Sequence, residues 1–212
     1  HGPKNSFYRD GVSVGTIIEH NSINYLYFMG WQNSDQQHWR GDIGRLKIRN
    51  NGSIVLDPAR PVVGINNIDK ISVSYPWVNK SKDGVFNMWY GSTKTWDAGN
   101  NEMLHIINFA KSTDGVTWKN KGQAIPSKIG YAQAFSRPTV YEDNDLNLHM
   151  WFSYRSGGGS SYRIGYAIKK YKTEKWDLIL KQNNIQIASK GWDSQMIAYP
   201  CVFKHKENVF ML

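Results

Sequence analysis

A long-period internal repeat constrains this chain more than any other feature. Tyr75-Pro-Trp-Val-Asn-Lys-Ser-Lys-Asp-Gly-Val-Phe-Asn-Met-Trp-Tyr90 runs in register with Arg137-Pro-Thr-Val-Tyr-Glu-Asp-Asn-Asp-Leu-Asn-Leu-His-Met-Trp-Phe152. A third copy begins at Tyr199-Pro-Cys-Val-Phe203 and reaches Leu212 as its second apolar run starts. A weaker first copy is Gly15-Thr-Ile-Ile-Glu-His-Asn-Ser-Ile-Asn-Tyr-Leu-Tyr-Phe28. The anchors Gly15, Pro76, Pro138 and Pro200 fall 61, 62 and 62 residues apart. A period of this length marks one supersecondary unit that recurs and buries its faces against its neighbours.

Each copy is a short apolar strand, a polar turn and an aromatic-rich strand, which is the pattern of a hairpin. A second hairpin follows each complete copy: Ile43–Ile48 with Ser53–Leu56, His105–Ala110 with Thr117-Trp118, and Arg163–Ile168 with Trp176–Leu180. Four strands per repeat make a sheet with two faces to cover, and radial stacking covers both while leaving short edges. The sequence therefore predicts an all-β chain of propeller blades at about 8–63, 69–126, 131–187 and 193–212, three complete and the last incomplete. A closed propeller needs at least about four blades, so the expectation is a partial propeller, or one that closes with another chain. The Asp-Gly turn in Ser112-Thr-Asp-Gly-Val-Thr-Trp118 fits a tight hairpin, and no helical periodicity competes. Val78, Val140 and Val202, with Met88 and Met150, are expected in the core at equivalent positions.

Composition supports a packed domain: 40% of residues are hydrophobic, including nine Trp, twelve Tyr and eight Phe. No run approaches the roughly 20 apolar residues of a membrane helix, and no signal-peptide pattern opens the chain, so no membrane insertion is expected. The lone Cys201 excludes an intramolecular disulfide and reads as a small buried hydrophobe. These features tilt the localisation towards the cytoplasm without deciding it. A net charge of +9 favours acidic partners such as an anionic polysaccharide. The basic residues are scattered and no nucleic-acid-binding motif accompanies them, so nucleic acid is not an expected partner. The six histidines lack metal-ligand spacing, and no metal or cofactor is expected. Gly157-Gly-Gly159 reads as a flexible hairpin tip rather than a phosphate-binding loop.

Propeller chemistry gathers where the innermost strands begin, so residues at fixed offsets before the anchors are the candidates. Asp69 and Asp193 each lie seven residues ahead of an anchor, and Asp10, Gln133 and Gln195 each lie five ahead. Cleavage of a glycosidic bond needs one carboxylic acid to protonate the leaving oxygen and one carboxylate to activate water or attack carbon. Asp10, Asp69 and Asp193 are the carboxylates that the offsets select; equally, an Asp before a strand often caps a turn. Arg9, Arg137, Arg155, Tyr75 and Tyr199 can hydrogen-bond sugar hydroxyls or pair with a uronate. Trp31, Trp96 and Trp192 offer flat faces to pyranose rings, with Trp96 favoured because its strand has ended.

These motifs carry a resemblance. Ser136-Arg-Pro-Thr-Val140 leading to Met150-Trp-Phe-Ser-Tyr-Arg155, then Tyr162-Arg-Ile-Gly-Tyr-Ala167 and Trp192-Asp-Ser-Gln-Met196, resembles the glycosidase-like five-bladed propellers encoded with bacterial surface-polysaccharide genes. That group is similar to the arabinanase, levanase/invertase and mannoside-phosphorylase propellers. The resemblance implies five blades, a carbohydrate ligand, and acidic residues at the entrances of the inner strands, a placement that Asp69 and Asp193 match. The relatives' Trp-Asp-Ser-x-Met motif carries Glu where this chain has Gln195, and an amide cannot act as a general acid. Either Asp193 is the acid, or Gln195 belongs to a noncatalytic glycan-binding or scaffold propeller, or the chain is an inactivated variant.

Overall fold

The structure is a computed structural model that describes residues 1–33, 38–180 and 185–212. Among these there are fourteen β-strands and no helix, hence no helix long and apolar enough to cross a membrane. The first sheet contains β1 (Gly11–His20), β2 (Ile23–Gln32), β3 (Arg40–Ile48) and β4 (Ile54–Leu56). The second contains β5 (Ser72–Lys80), β6 (Phe86–Thr95), β7 (Leu104–Ser112) and β8 (Lys119–Gln123). The third contains β9 (Ser136–Glu142), β10 (Leu148–Tyr154), β11 (Arg163–Lys169) and β12 (Asp177–Ile179). A two-stranded sheet follows, of β13 (Val202–His205) and β14 (Asn208–Met211). In every sheet, neighbours in sequence are neighbours in space. Trp118, expected in a strand, belongs instead to the turn that precedes β8.

The repeat suggested that the anchors open the strands; instead Gly15, Pro76 and Pro138 sit inside them at bulges, while Pro200 lies just ahead of β13. Gly15 and Thr16 together oppose Tyr27, between the pairs Val14–Phe28 and Ile17–Leu26. In the same way Tyr75 and Pro76 oppose Tyr90, and Arg137 and Pro138 oppose Phe152. A bulge spends one extra residue to bend the strand and re-aim side chains. Proline suits this place because it has no N–H to offer a ladder. The residue ahead of each proline is left-handed: φ is +41° at Tyr75, +49° at Arg137 and +63° at Tyr199. For bulky residues ahead of proline that backbone costs about 1–3 kcal/mol each, and it persists only where the surroundings impose it.

The bulges also tie first strands together. The Thr16 hydroxyl lies 3.4 Å from the Pro76 carbonyl and accepts the Val78 N–H at 3.1 Å. Thr139 repeats this: its hydroxyl accepts the Val202 N–H at 3.1 Å and reaches the Val202 carbonyl at 3.5 Å. Gly15 has to be glycine because a Cβ there would stand 2.3 Å from the Pro76 carbonyl oxygen.

The chain divides into two compact units, 1–94 with 108–122, and 95–107 with 123–212. The first buries Tyr27, Ile43, Val73, Val78, Phe86, Met88 and Tyr90, with Trp118 packed against them. Its Asp-Gly turn is drawn into this core. The Asp114 carboxylate accepts the Val116 and Thr117 N–H groups and the Ser112 hydroxyl, while the Gly115 carbonyl accepts the Tyr27 hydroxyl at 2.8 Å. Burial pushes the Tyr27 phenol up to about 12. The second unit buries Val140, Met150, Ala167 and Val202, and sets Phe135 edge-on to Phe152 at 5.0 Å. Val78, Val140, Val202, Met88 and Met150 are all buried, as the repeat predicted.

Candidate functional site

In the first unit, the chain ahead of β1 and the end of β2 bring a carboxylate beside an aromatic group. The Asp10 N–H bonds the Trp31 carbonyl at 3.1 Å, which fixes Asp10 at the strand entrance. Its Oδ2 accepts from Arg9 Nε at 3.1 Å and from the Asn33 N–H at 2.7 Å. Oδ1 takes no hydrogen bond among the described residues. Trp31 donates its indole N–H to Ser13 Oγ at 2.8 Å, and its ring lies 5.2 Å from Trp39 and 6.2 Å from Tyr75. Arg9, Asp10, Trp31 and Tyr75, four of the sequence candidates, thus form one neighbourhood.

Asp69 does not fit the placement expected from its offset. Its side chain is wholly buried. Its Oδ2 accepts from the Tyr90 hydroxyl at 2.8 Å and lies 3.4 Å from Asn66 Nδ2; its Oδ1 accepts from Asn108 Nδ2 at 2.8 Å. Tyr90 accepts in turn from Asn120 Nδ2 at 2.8 Å, and burial with the Asp69 charge drives its phenol pKa far above the ordinary value. A carboxylate enclosed by three donors works as a bracket between strands. Asp42, which the repeat did not select, is buried too, and it accepts from Gln32 at 2.6 Å and from both Arg40 Nε and Nη2. The alternation Arg40-x-Asp42 on one face of β3 was its only signal in the sequence.

In the second unit, Glu102 and Arg155 form an ion pair at 2.8 Å, with Glu102 nearly buried. The Arg155 guanidinium lies 4.6 Å above the Tyr162 ring, Tyr162 meets Tyr199 at 5.9 Å, and the Arg137 guanidinium lies 5.7 Å from the Tyr199 ring. The Tyr199 N–H is fixed by Ser153 Oγ at 2.6 Å. Three sequence candidates, Arg137, Arg155 and Tyr199, therefore share one surface. Glu102 was missed because it stands in a loop between strands, at no repeated offset. Arg163 reaches the Gln195 carbonyl at 3.0 Å and so ties the 191–196 loop to β11. On that loop Asp193 is half-exposed, with a carboxylate that accepts no hydrogen bond among the described residues, and the Gln195 side chain is exposed.

Equal offsets thus gave unequal surroundings. Gln133, the offset partner of Asp10 and Gln195, is buried and exchanges two hydrogen bonds with the Asn100 amide. At the Gly157–Gly159 tip, Gly157 is packed, since a Cβ there would meet Asn100 Nδ2 at 2.3 Å, and the Gly158 N–H bonds the Asn100 carbonyl, while Gly158 and Gly159 are exposed. Among the tryptophans, Trp96 is half-buried, whereas Trp192 is 94% exposed and offers the open ring face.

Repeated four-stranded antiparallel sheets with bulged first strands define the class: an all-β protein of propeller type. Known structures agree. The chain superposes on the sucrose-6-phosphate hydrolase of Lactobacillus gasseri with a TM-score of 0.66 at 18% identity, covering 83% of this chain and 36% of that one. It superposes on the GH32 β-fructofuranosidase of Bombyx mori with a TM-score of 0.70 at 13% identity, covering 93% and 41%. A GH130 structure, from the family of mannoside phosphorylases that contains glycoside hydrolases, gives 0.63 at 11% identity, covering 94% and 59%. The chain therefore spans less than two thirds of each of these structures, and at such identities the likeness shows the fold alone. No protein-family model matches. Two uncharacterized proteins of Mycobacterium tuberculosis, from strains CDC 1551 / Oshkosh and H37Rv, are each 34% identical over 212 residues, all of this chain and 69% of theirs. The chain belongs to the family of these mycobacterial proteins.

Proposed function

We propose that this protein is a carbohydrate-active propeller that acts on the glycosidic bond of a bacterial polysaccharide or oligosaccharide, with Asp10 in the first unit and Asp193 in the second each a candidate reacting carboxylate. One observation carries the reading: in the second unit the left-handed residues Arg137 and Tyr199 each stand directly ahead of a repeat proline, and the Arg137 guanidinium lies 5.7 Å from the Tyr199 ring. Strained backbone often gathers at ligand sites, and these side chains suit sugar faces and hydroxyls. Arg9 and the Asn33 N–H hold one Asp10 oxygen, and the other has no hydrogen bond among the described residues, which suits a base or nucleophile. Asp193, whose carboxylate has no hydrogen-bond partner among the described residues, is the other candidate carboxylate. Asp69 is assigned to holding Tyr90 and Asn108. A second reading, noncatalytic glycan binding, is favoured by the amide of Gln195 in an exposed loop.

The test is turnover on a panel of bacterial polysaccharides and oligosaccharides. Asp10→Asn and Asp193→Asn are each expected to cut turnover by about two orders of magnitude or more, with unfolding temperatures unchanged. Parental rates in both variants would overturn the carboxylate assignment; binding without turnover would favour the second reading.

A further inference from the structure

The 191–196 loop of the second unit holds a large ring out in solvent. Trp192 is 94% exposed and Met196 50% exposed, although tryptophan is among the side chains that gain most from burial. The backbone beneath them is not slack. Gly191 turns at φ +105°, and the Ser194 N–H and hydroxyl both reach the Gly191 carbonyl, at 3.3 and 2.7 Å, which closes the turn across Trp192 and Asp193. Arg163 Nη1 donates to the Gln195 carbonyl at 3.0 Å and the Ile197 N–H bonds the Tyr162 carbonyl at 3.3 Å, so the far side of the turn is fastened as well. Tryptophan has only two side-chain torsions to fix, and on a tied turn its ring meets a partner at small entropic cost. The same turn carries the half-exposed Asp193 carboxylate and the exposed Gln195 amide, neither of them hydrogen-bonded among the described residues. A flat apolar face on a turn with a carboxylate and an amide matches a pyranose chair, whose axial C–H groups lie on a face while its hydroxyls project from the rim. The carboxylate opposes an apolar protein groove or a membrane interior as the partner, and a puckered furanose ring offers no such flat C–H face.

We propose that Trp192 is a specificity-determining residue that stacks on a pyranose ring of the bound glycan, and so selects pyranose polymers over furanose polymers. The stacked sugar sits next to the Asp193 carboxylate, and the Gln195 amide meets a hydroxyl at its rim. The inference rests on the carbohydrate reading and narrows it to the ring size of the sugar.

Affinity electrophoresis of the whole chain through gels that contain dextran, galactan, hyaluronan or levan tests this; the first three are built of pyranose rings and levan of furanose rings. At least one pyranose polymer is expected to bind tenfold or more tightly than levan. Trp192→Ala is expected to weaken that binding tenfold or more, the usual scale for truncating an aromatic anchor, with the unfolding temperature unchanged because the ring is exposed. Trp192→Phe, which keeps a flat ring, is expected to stay within threefold of the parent. Iodide is expected to quench a part of the tryptophan fluorescence that the bound polymer shields and that Trp192→Ala lacks. If levan binds as tightly as every pyranose polymer, or if Trp192→Ala keeps the parental affinity, the stacking role is refuted while the carbohydrate reading stands. A panel glycan that binds where these four do not takes their place in the same measurements. If no glycan binds at all, both fall together.

Discussion

Asp69→Asn separates the two roles that a carboxylate ahead of a strand can have. Asp69 is wholly buried and its oxygens face Tyr90, Asn108 and Asn66. An amide keeps the shape but turns one acceptor into a donor, so it confronts either the Tyr90 hydroxyl or the Asn108 amide with a like group. A hydrogen bond to a charged group contributes about 1.5–3 kcal/mol, and a buried donor left unpaired costs about 1–3 kcal/mol. A loss of about 2–3 kcal/mol follows. At about 2–4 °C per kcal/mol for a chain of this size, the unfolding temperature falls by about 4–12 °C. The assay is thermal unfolding by circular dichroism, paired with ultraviolet titration of tyrosine. The Asp69 charge helps to hold the Tyr90 proton, so its removal moves that phenol back towards its ordinary pKa. An unchanged unfolding temperature together with turnover lowered a hundredfold would refute the bracket role and restore Asp69 to the reaction.

Three further outcomes follow from the same geometry. Thr139→Val keeps the shape of the side chain but leaves the Val202 N–H unpaired; a destabilisation of about 1–3 kcal/mol is expected, read from urea unfolding, and no change would dismiss the threonine clamp. Because burial raises the Tyr27 phenol to about 12, its contribution is complete below the ordinary value near 10 and is lost as pH climbs from about 10 to 12. Tyr27→Phe should flatten stability over that alkaline window. The Asp143 carboxyl is held low, chiefly by His149 Nε2 at 2.9 Å, so its contribution is present above about pH 4 and fades on acidification below it. His149→Ala should shrink the acid-side slope; an unaltered slope would show that the pair does not act on stability.

The sequence alone determined the architecture, because a sheet writes its pattern locally. Alternating apolar residues, Asp-Gly and Asn-rich turns and a 62-residue spacing are properties of neighbours along the chain. Val78, Val140, Val202, Met88 and Met150 could therefore be placed in the core from the repeat. The same spacing brought Arg137, Arg155 and Tyr199 under suspicion, since they flank the repeated strands. What no offset could decide was the surroundings of each polar group. Asp69 and Asp193 share an offset, but Tyr90, Asn108 and Asn66 hold the carboxylate of one, and no described residue hydrogen-bonds that of the other. Glu102, Asp42 and Asn120 acquire their roles from strands and loops tens of residues away, or from a strand pairing that the repeat did not specify. The bulges were hidden for a related reason: Tyr75-Pro, Arg137-Pro and Tyr199-Pro mark a break in the strand, but the left-handed turn of the first residue is imposed by packing against its own strand's backbone preference. Periodicity is a one-dimensional signal and reaches the fold; desolvation and hydrogen-bond partners are set in three dimensions, and the site depends on them.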